Sequence, residues 1–127
     1  MRAELKEIYS LEVDCDLDKY WPEDPENFGV SMRLMVGVEN AIGAESFDIF
    51  VCTPDWLKDH CRDDEAMSGR HMLIVCEYDF NLIKIQINRW LNSCTGNNWR
   101  TVAYKFSRFA AWEFEDYEES IESGSID

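Results

Sequence analysis

The side chains able to carry out acid–base, nucleophilic or metal chemistry are few, and their spacing assembles none of it. There are two histidines, His60 and His71, and five cysteines, Cys15, Cys52, Cys61, Cys76 and Cys94. Catalysis needs a nucleophile, a base and a group that stabilises developing charge, all within reach of one another. No GxSxG, HExxH, GxGxxG or phosphate-loop pattern occurs in the chain. His60 beside Cys61 is the one pair that looks like metal ligands. Two adjacent residues cannot complete a site, so neither a metal nor a cofactor is expected. His60 falls at the end of a short helix, where solvent satisfies it. His71 opens an apolar run and fits a hydrogen-bonded structural residue better than a general base. The alternative to a binding protein is a small cytosolic enzyme or ligand-binding domain that uses His71 or a carboxylate pair.

Carboxylates are the one abundant reactive type, and their placement is uneven. The 26 acidic residues against 12 basic ones leave a formal net charge of −14. Asp14, Asp16, Asp18, Glu23, Asp24 and Glu26 crowd one stretch, relieved only by Lys19. Glu113, Glu115, Asp116, Glu118, Glu119, Glu122 and Asp127 crowd the end of the chain with no base among them. These two stretches hold half of the acids, whereas residues 97–110 carry Arg100, Lys105 and Arg108 and no acid. Nucleic-acid phosphates and anionic membrane surfaces repel such a chain, so direct binding to either is not expected. A cationic protein partner is drawn to it.

Among five tryptophans, Trp56, Trp90 and Trp99 sit on helical stripes and read as core. Trp21 differs, because it stands between Tyr20 and Pro22 inside the acidic stretch. An aromatic placed there either anchors an interface or folds back over the sheet. The candidate partner-binding set is therefore Asp14, Asp16, Asp18, Trp21, Glu23, Asp24, Glu26, Glu113, Glu115 and Asp116.

The elements that must position these residues read as follows. The 127 residues suit one domain, residues 1–119, with 120–127 as an acidic frayed tail. Ala3, Leu5, Tyr9, Leu11 and Val13 alternate as a first strand, with Glu7 as a misfit. Residues 16–27 hold Pro22 and Pro25 and form a loop. Phe28 to Val38 alternates without a break, and Phe47, Ile49 and Val51 make a third strand, its other face partly covered through Phe50 and Cys52. Thr53-Pro54-Asp55 starts a helix running to about Asp63, with Trp56 and Leu57 on its buried face. His71 to Tyr78 reads as a strand covered on both faces. Phe80, Ile83, Ile87, Trp90, Leu91 and Cys94 form a stripe long enough to favour helix over strand, with Asp79 as its cap and Gly96 as its stop. Trp99 to Ala110 is a further amphipathic helix, and residues 112–115 a short last strand. The order β-β-β-α-β-α-α-β gives an α+β fold, a largely antiparallel sheet with helices packed on one face.

An odd, irregular cysteine set argues for free thiols in a reducing compartment. Cys52, Cys76 and Cys94 lie in apolar patterns and are expected to be buried. No apolar run is long enough for a transmembrane helix. Residues 1–9 carry Arg2, Glu4, Lys6 and Glu7, unlike a secretory signal. The expected location is the cytoplasm.

Three longer segments are distinctive: Tyr20-Trp21-Pro22-Glu23-Asp24-Pro25-Glu26-Asn27-Phe28-Gly29, the run from Ser46 to Leu57 (SFDIFVCTPDWL), and Trp112 to Tyr117 (WEFEDY). With Gly69-Arg70-His71, they resemble the immunity protein 8 family of bacterial polymorphic toxin systems. The resemblance spans the first strand to about Tyr117. It implies a non-catalytic inhibitor, encoded beside a secreted toxin such as a contact-dependent growth inhibition effector. It also implies that the partner is the toxin's C-terminal domain, in many such systems a nuclease. A nuclease site is basic because it holds phosphates, and an acidic inhibitor is its physical complement.

Overall fold

The computed structural model describes residues 1–114. Five strands, β1 (Ala3–Tyr9), β2 (Gly29–Val38), β3 (Glu45–Cys52), β4 (Met72–Ile74) and β5 (Ala111–Trp112), form one sheet. Three helices, α1 (Pro54–His60), α2 (Phe80–Ser93) and α3 (Trp99–Phe106), complete the expected α+β order. The strands pair as β1-β2-β3-β4, and β5 also pairs with β3. All pairings are antiparallel except β3 with β4, which is parallel. The two short strands share one edge of β3, with β5 on its first half and β4 on its last three residues.

Alternation along β2 and β3 sends Val30, Met32, Leu34, Val36, Phe47, Ile49 and Val51 to one face, all of them buried. That face is covered by Ile83, Ile87 and Leu91 of α2 and by Val102, Ala103 and Phe106 of α3. Three caps start the helices. Thr53, Asp79 and Asn98 accept from the backbone N–H groups of Trp56, Leu82 and Thr101.

Strand β1 departs from its simple alternation. The register slips between Leu5 and Glu7, so a bulge absorbs the misfit at Glu7. Past the bulge, Ile8 rather than Tyr9 packs on the core with Ala3 and Leu5. Tyr9 lies opposite Arg33, the strand ends there, and Leu11 is exposed. One extra residue has exchanged the two faces.

Helix α1 ends at His60 and buries none of its residues fully, contrary to the expected buried Trp56 and Leu57. Trp56 packs instead on Phe50, ring centroids 4.8 Å apart, on the side of β3 away from α2 and α3. Gly29 makes this possible. A Cβ there would lie 2.6 Å from both the Phe50 and the Trp56 rings.

The fourth strand is shorter than its apolar run suggests, and it is not covered on both faces. Ile74 is 53% exposed and Cys76 is exposed, not buried. Partner length sets the limit, because β3 ends at Cys52, whose carbonyl takes the last ladder bond from Val75 N–H. Beyond that bond the chain bends, and Tyr78 turns inward. Helix α2 ends at Ser93, before Gly96, and α3 at Phe106, before Ala110. The last strand is Ala111–Trp112 rather than residues 112–115. Glu115, Asp116 and the tail 120–127 lie outside the described residues.

Candidate functional site

Tyr78 organises the acidic loop. It is 3% exposed, and its ring meets Tyr20, Trp21 and Phe28 edge-on, at centroid distances of 5.3, 5.9 and 5.2 Å. Its hydroxyl donates to the Leu17 carbonyl at 2.9 Å, and its backbone N–H donates to the Pro25 carbonyl at 2.7 Å. Leu17 itself is buried, so the loop is fastened to this tyrosine by a buried residue as well as by ring contacts. Burial, with Tyr20, Cys15 and Asp18 nearby, pushes the Tyr78 hydroxyl up to about 12.

The far end of the loop is fastened as firmly. Phe28 N–H donates to Thr53 Oγ1 at 3.2 Å, the same buried hydroxyl that caps α1. Thr53 N–H donates to the Phe28 carbonyl, and Asn27 Nδ2 donates to Asp59 of α1 at 2.8 Å. Asp24 closes an Asx turn on Glu26 N–H. At the near end Glu12 accepts from Ser31 N–H. A segment rich in polar residues is thereby held without secondary structure of its own.

This scaffold presents the acids outward. Asp14, Asp16, Asp18, Glu23, Asp24 and Glu26 are all exposed. Of the two places open to Trp21, the structure puts it at the surface, 65% exposed, with its ring perpendicular to Tyr78. Between Trp21 and the start of α2 runs a groove of about 380 Å³, lined by Tyr20, Trp21 and Phe80 and by Asp18, Glu77 and Asp79. Glu77 and Asp79 belong to this surface although the sequence pattern gave no sign of it. Their link to the loop is made by Tyr78, about 60 residues along the chain.

Glu113, the one acid of the second stretch among the described residues, does not meet the loop. Glu113 is exposed and accepts from Ser46 N–H at 2.6 Å, at the first residues of β3. The loop docks at the opposite end, where Gly29 pairs with Cys52. Six residues of strand separate these ends, roughly 20 Å. Glu113 therefore stands apart from the acids of the loop.

The histidines take up structural contacts. His71 stands just before β4 with φ 60°, and its Nε2 donates to the Ser107 carbonyl at 2.8 Å, tying β4 to the end of α3. His60 is exposed and stacks on Trp56 at 4.1 Å, its Nδ1 donating to the Trp56 carbonyl. Among the described residues no group of three His, Cys, Asp or Glu side chains converges as a metal site would require. No helix among them is long and apolar enough to cross a membrane.

A family model described as Immunity protein 8 matches residues 3–117. No curated protein and no solved structure matches the chain. The matched span covers every strand and helix described above.

Proposed function

The chain belongs to the immunity protein 8 family, and from that footing we propose that it neutralises the C-terminal domain of a polymorphic toxin by binding it. The toxin domain is a basic nuclease, delivered by contact-dependent growth inhibition or a related route. The immunity protein meets it in the cytoplasm of the protected cell. It acts as a stoichiometric inhibitor and not as an enzyme. The family match is the observation that carries this reading.

The physical support is charge and shape. A net charge of −14 steers a cationic domain toward the protein from a distance. The rigid loop from Asp14 to Glu26 offers carboxylates around an exposed indole, the composition of a polar rim about an aromatic anchor. Glu113, Glu115 and Asp116 add further carboxylates for the toxin domain to contact.

Co-expression tests the proposal directly. The toxin domain encoded beside this protein should co-purify with it at a fixed ratio, and cells carrying the protein should survive that toxin. His60→Ala and Cys61→Ser variants that remain folded should protect as well as the wild type. Loss of protection by either would point to chemistry rather than binding.

A further inference from the structure

We propose that the groove between Trp21 and the first turn of α2 receives an arginine side chain of the bound toxin. The inference rests on the immunity reading for the partner, while the groove's own chemistry sets the side chain.

Three features converge on a guanidinium. The first is unspent negative charge, because among the described residues neither Asp18 nor Glu77 has an ion-pair partner. Asp79 commits Oδ1 to the α2 cap and keeps its other oxygen. The second is an aromatic wall held in place before any partner arrives. Trp21 and Tyr20 both stand perpendicular to buried Tyr78, so the indole is held on one side while 65% of the residue stays exposed. The third is that the groove's rim already attracts a cation from the chain itself. The Lys84 ammonium sits over the Phe80 ring, 4.8 Å from its centroid. One face of Phe80 is thereby occupied, and exposed Trp21 offers aromatic surface for an incoming cation.

The arrangement discriminates among cations. No three acidic, histidine or cysteine side chains converge among the described residues, so these carboxylates line a cleft without closing on a metal ion. At about 380 Å³ the groove is near the lower limit of ligand clefts, room for one long side chain and not for a folded segment. A guanidinium is planar, stacks on an indole and donates to carboxylates along its edge. An ammonium holds its water more tightly and has no flat face to offer.

Titration of the full-length protein with Nα-acetyl-arginine amide, followed by nuclear magnetic resonance, tests the groove without the toxin. Saturable shifts of the Trp21 indole N–H and of the amides of residues 77–81 are expected. The Asp18→Asn, Glu77→Gln double variant should lose them while its circular dichroism is unchanged. Shifts that survive in that variant, an equal response to Nα-acetyl-norleucine amide, or equally tight binding of Nα-acetyl-lysine amide would each overturn the arginine assignment. Against the toxin domain itself, Glu77→Gln should weaken binding by about tenfold, the loss typical of a central charged contact. Unchanged toxin affinity in Glu77→Gln sinks the groove and leaves the immunity reading standing. Saturable arginine binding in a protein that neither binds the toxin nor protects cells sinks the immunity reading instead.

Discussion

The hydroxyl of Tyr78 and the carbonyl of Leu17 are joined by a 2.9 Å hydrogen bond that spans 61 residues of sequence. Through this bond a loop without regular structure becomes a fixed surface. Both partners are buried, so neither can exchange the other for water.

Tyr78→Phe keeps the three ring contacts and removes the donor. Leaving the Leu17 carbonyl unpaired should cost about 1–3 kcal/mol, read as a lower midpoint in urea. The same hydroxyl sets a limit at high pH. Its folded value is pushed up to about 12 from the usual 10, mainly by burial. Deprotonation is thus easier in the unfolded chain, so this contribution is complete below about pH 10 and lost toward about 12. Urea midpoints measured across that window should fall more steeply for the wild type than for Tyr78→Phe.

Glu45 Oε1 accepts from two indoles at once, Trp99 Nε1 at 2.8 Å and Trp112 Nε1 at 2.9 Å. It ties α3 and β5 to the first residue of β3. Glu45→Ala strands both donors and should destabilise the protein by about 2 kcal/mol. Glu45→Gln retains an accepting oxygen and should cost less. Equal losses for the two variants would show that the carboxylate's charge, and not its geometry, matters at this position.

The five thiols should separate by burial. Cys15 and Cys76 are exposed, Cys61 is half-buried, and Cys52 and Cys94 are buried. Burial also pushes the Cys52 and Cys94 thiols up, away from the reactive thiolate. A thiol reagent should label Cys15 and Cys76 at once, Cys61 more slowly, and the last two only on unfolding. Peptide mapping of the labelled sites against time would check that order.

Steering and anchoring should part in the kinetics of toxin binding. Charge reversal at Asp14 and Asp16, exposed on the loop, should slow association and flatten its dependence on salt, with little effect on dissociation. Trp21→Ala should speed dissociation by about thirtyfold and leave the salt dependence alone. Stopped-flow measurements at two ionic strengths decide between them. Slow, salt-insensitive association of the wild type would reduce the acidic surface to an aid to solubility.

What the sequence determined by itself is whatever depends on neighbours in the chain. Unbroken alternation made β2, stripe length decided for a helix at α2, and Thr53-Pro54-Asp55 marked the start of α1. The misfit at Glu7 was visible too, although that it marks a bulge exchanging Tyr9 for Ile8 depends on the pairing with β2. Tertiary structure decided the rest. The run His71–Tyr78 has the composition of a long buried strand, yet β3 offers it a partner only as far as Cys52. The acids of residues 14–26 and Glu113 lie at opposite ends of β3, because the loop enters at Gly29 and Glu113 stands beside Ser46. The groove was not legible at all. Glu77 and Asp79 reach Trp21 only because Tyr78 is buried beneath the loop, and a side chain's choice of distant partner leaves no mark on local periodicity.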